Sequence, residues 1–155
     1  MRKFAVVKDE FLKYDVKAED VKMPRRATVA SVAYDFYSPI DYVLMPNETK
    51  LIFTNIKFYA EEDEGLFLAT SSGMGKKEVM LAQGIGVIES DYVDNPTNDG
   101  NVGFMLFNHG SQPYEIKKGD KLGHAWFQKF LTVDDEIPPT AVRTGGFGST
   151  LKNNK

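Results

Sequence analysis

Cysteine is absent, and histidine occurs only twice, at His109 and His124. The first absence excludes disulfides, thiolate zinc sites and cysteine nucleophiles. The second leaves too few imidazoles for an all-histidine metal site within one chain. Charge of either sign is not in excess: 19 Lys and Arg against 22 Asp and Glu give a net −3. That balance offers no general attraction to a nucleic acid polymer or an anionic membrane. No apolar run approaches the roughly 20 residues that span a bilayer. The start, Met1-Arg-Lys-Phe-Ala-Val-Val-Lys8, has no apolar stretch long enough for a signal peptide. The expectation is a cytoplasmic protein with no nucleic acid or membrane partner. No internal repeat and no Pro- or Ser-rich linker divides the chain.

What is present is ordinary globular composition, 42% apolar and 26% charged over 155 residues, enough for one domain with a real core. No long helical pattern stands out. Short apolar or alternating runs recur between turn residues, which reads as all-β. The runs are Val29 to Tyr37, Tyr42 to Met45, Lys50 to Tyr59, Leu66 to Ala69, Val79 to Ala82, Ile85 to Ile88, Val102 to Phe107, Tyr114 to Ile116 and Leu122 to Val133. Strands at this spacing suggest a sandwich, jelly roll or barrel. One short helix fits between Gly73 and Val79. The acidic cluster Glu61-Glu-Asp-Glu64 reads as a strand end, and Asp94-Asn-Pro-Thr-Asn-Asp-Gly100 as a protruding hairpin loop. We expect a β domain over 1–137 and a flexible Gly-rich arm over 138–155.

Three constellations could carry chemistry. In the tail, Arg143-Thr-Gly-Gly-Phe-Gly-Ser-Thr150, the glycines let backbone N–H groups converge on an anion. Arg143 adds a fork suited to phosphate, Ser149 and Thr150 add hydroxyls, and Phe147 could stack on a flat ring. A disordered terminus is the alternative. Thr70-Ser-Ser-Gly-Met-Gly75 could seat a phosphate at a helix start, or Ser71 or Ser72 could simply cap it. In Gly84-Ile-Gly-Val-Ile-Glu-Ser-Asp-Tyr92, a carboxylate at a strand end could deprotonate a water, or be a solvated acidic turn.

Taken in order, these segments resemble the five motifs of the trimeric dUTPases over nearly the whole chain. Pro24-Arg-Arg-Ala-Thr28 with Ala33-Tyr-Asp-Phe-Tyr-Ser38 resembles the first motif and Ala69-Thr-Ser-Ser-Gly73 the second. Gly86-Val-Ile-Glu-Ser-Asp-Tyr92 resembles the third, Lys118-Gly-Asp-Lys-Leu122 the fourth, and the tail the fifth. The longer third-motif loop is similar to a variant of some Firmicute and phage members. The resemblance implies a jelly-roll-like homotrimer with sites between subunits, each completed by another subunit's arm. It implies hydrolysis of dUTP, or a related deoxynucleotide, to dUMP and pyrophosphate by water attack at the α-phosphate. Mg²⁺ would be bound through the substrate triphosphate, with no metal site on the protein.

By the same resemblance Glu89, Asp35 and Asp91 are the catalytic carboxylates. Tyr92 packs on the deoxyribose, and Ser71 touches the α and β phosphates beside Thr70, Ser72 and Gly73. Gln83, Gly86, Ile88 and His124 complete the nucleotide contacts. Phe147 and Gly148 cover the uracil, while Arg143, Ser149 and Thr150 grip the γ end. The chain departs from the family pattern at Glu89 (usually aspartate), Thr70 (arginine), Gln83 (asparagine), His124 (glutamine) and Ala33 (glycine). These departures carry an alternative reading, a catalytically weakened nucleotide-binding or regulatory protein whose partner could contact the Asp94–Gly100 loop.

Overall fold

A computed structural model describes residues 1–146. Among them, eleven strands and one α-helical turn form. The strands are β1 Lys3–Val6, β2 Tyr34–Tyr37, β3 Tyr42–Leu44, β4 Thr49–Phe53, β5 Ile56–Tyr59, β6 Glu64–Ala69, β7 Val79–Leu81, β8 Gly86–Glu89, β9 Gly103–Asn108, β10 Tyr114–Ile116 and β11 Lys121–Lys129. The turn α1 is Ser72–Gly75. A four-stranded sheet has the order β2-β11-β6-β8, and a three-stranded sheet the order β4-β9-β7. The pairs β1-β5 and β10-β3 complete the fold, and every pairing is antiparallel. This is a jelly-roll-like arrangement of facing antiparallel sheets.

Alternation along the strands builds the core. Phe36, Leu66, Leu68 and Ala125 point inward from the larger sheet against Ile52, Val79, Leu81, Phe104 and Leu106 of the smaller. Phe36 and Phe104 join the sheets at a ring separation of 5.6 Å. Each such fully buried side chain stabilises by about 2 kcal/mol. The intervening positions face outward, so Val87, Phe67 and Trp126 lie side by side across β8, β6 and β11. The Phe67 and Trp126 rings stack at 5.9 Å, and Val87 is 53% exposed.

Several sequence expectations shift for local reasons. The run from Val29 becomes strand only at Tyr34, because a turn diverts the chain first. Ser31 Oγ accepts from the Thr28 amide, and Arg26 donates to the carbonyls of Val29 and Ser31. The run Lys50 to Tyr59 divides at Thr54 and Asn55, where a positive φ at Asn55 passes the chain from β4 to β5. The helix is a single turn at Ser72–Gly75. β1 is too short to show a pattern and exists through its pairing with β5. Glu64, at the end of the acidic cluster, is buried, with both carboxylate oxygens accepting from Arg2 Nε at 2.9 and 2.8 Å.

The Asp94–Gly100 loop does not protrude. Asn95, Asn98 and Asp99 are buried, and their side chains bond inward. Its polar composition largely serves an internal network, while Asp94, Pro96 and Thr97 stay exposed.

Candidate active site

β8 ends at Glu89 and runs into a 3₁₀ turn, Ser90–Tyr92. That turn puts Glu89 and Asp91 side by side at the surface and drives Tyr92 into the protein, where it is 4% exposed. A cavity of about 230 Å³ opens beside them, lined by Leu68, Gln83, Gly86, Val87, Ile88, Glu89, Tyr92, Gly103, Arg143 and Gly146. Its floor is apolar and its mouth is acidic. Arg143 lies across that mouth, 2.9 Å from Glu89 and 2.7 Å from Asp91. Three residues on, Gly146 meets the Tyr92 ring so closely that an added Cβ would stand 2.5 Å from Cε2. Burial pushes the Tyr92 hydroxyl above the ordinary tyrosine range, so it is a neutral phenol at neutral pH.

A second group gathers on the other side of β6. His124 pairs with Ala69 on one side and Asp35 on the other, which sets the Thr70–Gly73 turn at the same end of the sheet. Ser71 caps that turn, its Oγ accepting from the Met74 amide at 3.4 Å. Lys121 reaches Asp35 at 3.1 Å, and an open depression of about 500 Å³ runs past Ala33, Asp35, Lys121, His124 and Trp126. Burial holds His124 below the ordinary histidine range; Lys121 adds to this and Asp35 opposes it. The imidazole is therefore neutral at neutral pH and can donate or accept one hydrogen bond.

The expected site residues thus fall into two sets. Gln83, Gly86, Ile88, Glu89, Tyr92 and Arg143 line the cavity, with Asp91 beside its mouth on Arg143. Thr70, Ser71, Ser72 and Gly73 join Asp35 and His124 at the second surface. Asp35 on β2 and Glu89 on β8 occupy opposite edges of the four-stranded sheet. Three strand spacings put them about 14 Å apart before any offset along the strands. Asp35 therefore does not share one chain's catalytic cluster with Glu89. Phe147, Gly148, Ser149 and Thr150 lie outside the described residues.

Sequence reasoning missed the residues that hold Tyr92: Asn95, Asn98 and Asn101, with Lys57 and Asp99 behind them. The signal available was the density of Asn and Asp immediately after an aromatic that would have to be fixed.

A facing-sheet antiparallel fold, with an acidic pair at a small apolar cavity and an arginine-bearing arm laid over both, defines a class of compact all-β proteins. The particular family follows from comparison. The dUTPase family model matches residues 19–151. The deoxyuridine 5'-triphosphate nucleotidohydrolase of Lactococcus lactis is 36% identical over 136 residues, covering 86% of this chain and 91% of that protein. That of Rattus norvegicus is 34% identical over 149 residues, covering 94% of this chain and 69% of that protein. The crystal structure of the dUTPase from Streptococcus mutans superposes with a TM-score of 0.72 at 26% identity, covering 84% of this chain and 98% of that one. The chain belongs to the dUTPase family.

Proposed function

We propose that the chain hydrolyses dUTP to dUMP and pyrophosphate, at sites assembled between three copies of itself. The observation that carries this reading is the clustering of Glu89, Asp91 and Tyr92 at one cavity beneath Arg143. Tyr92 packs on the deoxyribose, and Gln83 with the Gly86–Ile88 strand reads the uracil edge. Arg143, held by carboxylates in the free chain, exchanges them for the triphosphate's γ end, because its planar fork suits either anion. That exchange frees Glu89. Its carboxylate accepts a proton from a water as the water oxygen bonds to the α-phosphorus. The bond from that phosphorus to the α–β bridging oxygen breaks, and pyrophosphate leaves with its electron pair. Ser71, the Thr70–Gly73 backbone and neutral His124 would contact phosphates from a neighbouring copy, since one chain sets them at the opposite end of β6, where His124 pairs with Ala69, from Glu89, which pairs with Gly65. Phe147, Gly148, Ser149 and Thr150 would close the site.

Among the described residues no three carboxylates or imidazoles converge as a metal cage. A magnesium ion would be carried on the substrate's own phosphate oxygens, a mode such ions commonly take. Such an ion neutralises phosphate charge and polarises the bond that breaks. No helix among the described residues is long and apolar enough to cross a membrane, and we place the activity in the cytoplasm. The weakened, regulatory reading has no observation in its favour.

Pyrophosphate release with Mg²⁺ from dUTP, dCTP, dTTP and UTP tests the reading. dUTP should be preferred, and Glu89→Gln should lower its turnover at least about 100-fold while dUMP still binds. No pyrophosphate from any of the four would refute it.

A further inference from the structure

The hydrogen bonds around Tyr92 admit one arrangement, which gives the Asp94–Gly100 loop a task. Asn95 Oδ1 accepts from the backbone N–H groups of Thr97 and Asn98, at 3.0 and 3.2 Å. Backbone amides can only donate, so the Asn95 amide nitrogen must face the other way. There it donates to the Tyr92 carbonyl at 2.7 Å and to Asn98 Oδ1 at 2.8 Å. Asn98 Oδ1 also accepts from the Gly100 amide at 3.1 Å, so the Asn98 amide nitrogen is turned onto the Tyr92 hydroxyl, 2.6 Å away. The hydroxyl's own proton then goes to the Asn101 carbonyl at 3.2 Å. The tyrosine is pinned at its backbone and at its ring tip by one loop. The loop also holds the arm, because Thr97 Oγ1 donates to the Thr144 carbonyl at 2.8 Å.

From this we infer that Asn98 is a positioning residue for sugar recognition: by fixing the Tyr92 hydroxyl it sets the ring height that admits a deoxyribose and rejects a ribose. The assignment rests on the activity proposed above and goes beyond it. Asn98 does not line the cavity and acts only through Tyr92. The geometry of Gly100 supports a loop built to one shape. Its φ is +82°, and a Cβ there would stand 2.8 Å from Val93 Cα and 3.0 Å from the Tyr92 carbonyl oxygen.

The test compares kcat/KM for dUTP and UTP in the intact chain, Asn98→Ala, Tyr92→Phe and the double variant. Asn98→Ala should lower the dUTP/UTP ratio about tenfold, the effect of losing one well-placed bond to a buried group. Most of the fall should come from UTP accepted more readily, with kcat for dUTP changed least. Tyr92→Phe deletes that bond from the other side together with the hydroxyl's bond to the Asn101 carbonyl and should lower the ratio at least as far, so the answer survives if Asn98→Ala fails to fold. The double variant should lower the ratio no further than Tyr92→Phe alone, because Asn98 acts on the sugar only through that hydroxyl. A ratio unchanged in either single, or effects that multiply in the double, overturns the assignment while the activity stands. An intact chain that turns over no dUTP overturns the activity, and this assignment with it.

Discussion

Lys57→Met should be among the most damaging single changes outside the cavity. Lys57 is 5% exposed, and its ammonium donates to Asp94 at 2.6 Å and to Asp99 at 2.9 Å. Asp99 is fully buried; it also accepts from the Lys8 amide at 2.8 Å, and its Oδ1 has no hydrogen bond, only the Lys8 ammonium 3.5 Å away. Removing Lys57 strands that carboxylate, and breaking a buried pair costs about 3–5 kcal/mol. The Lys8 contact softens the loss, so about 3 kcal/mol is expected. At about 2.1 cal/mol/K of unfolding entropy per residue, this lowers Tm by about 9 °C. Calorimetry at a fixed protein concentration measures it, since assembly contributes to apparent stability.

The pH dependence has a definite sign. Burial pushes Asp99 upward, but its bonds from Lys57 and the Lys8 amide win and hold it below the ordinary carboxylate range. Its contribution is present above about pH 4 and lost as pH falls through that lowered value. Burial pushes Lys57 downward, but Asp94 and Asp99 more than offset it and hold it above the ordinary lysine range. Its contribution is present below about pH 10 and lost as pH rises through the raised value. The Lys57→Met deficit should therefore be largest near neutrality and shrink toward pH 4, where the stranded carboxylate takes up a proton. Adding Asp99→Asn should recover part of the loss. A single variant melting within about 2 °C of the parent at pH 7, the range of an ordinary surface change, would refute the reasoning.

Two further changes probe the arm and the outward sheet face. Gly146→Ala places a methyl group 2.5 Å from Tyr92 Cε2, lifting the arm from the ring; KM for dUTP should rise about tenfold, and an unchanged KM would show that this contact does not serve binding. Trp126→Glu puts a charge into the Val87-Phe67-Trp126 stripe and should shift sedimentation from trimer toward monomer, with turnover lost in parallel. A trimer that persists with full activity would remove the stripe from the subunit interface.

The fold was legible where strands are long enough to alternate. β6, β9 and β11 announce themselves as apolar runs bounded by turn residues, although β11 ends at Lys129, four residues short of the expected Val133. β1 was not, since four residues carry no period and only β5 makes them a strand. The cavity's acidic rim was legible as Glu89, Asp91 and Tyr92 in one short segment. What stayed hidden depends on contacts far apart in sequence: Arg2 on Glu64, Lys57 on Asp99, and the turn of the Asp94–Gly100 loop inward. Composition marks such residues as polar. It cannot say that a lysine many positions earlier will meet them and bury the charge. Nor could order along the chain reveal that Asp35 and Glu89, both expected at one site, stand on opposite edges of a single sheet.

That separation bears on how a triphosphate is held. At the cavity, Arg143 against Glu89 and Asp91 leaves one negative charge in excess. At the second surface, Lys121 balances Asp35, and burial keeps His124 neutral. The cavity half lacks positive charge for a polyanion, whereas at the second surface Arg25, bridged to Asp35 through the backbone, and Arg26, on the Val29 and Ser31 carbonyls, leave positive charge in excess. Lys76 and Lys77, just beyond the Ser71-capped turn, add to that charge. On the proposed reading, copies joined at the Val87-Phe67-Trp126 stripe would bring the phosphate-facing turn of one subunit to the carboxylates of the next. Specificity for the base and sugar can then be built into the fold of one chain, by the network around Tyr92. On the proposed reading, cutting the triphosphate waits on the encounter of several.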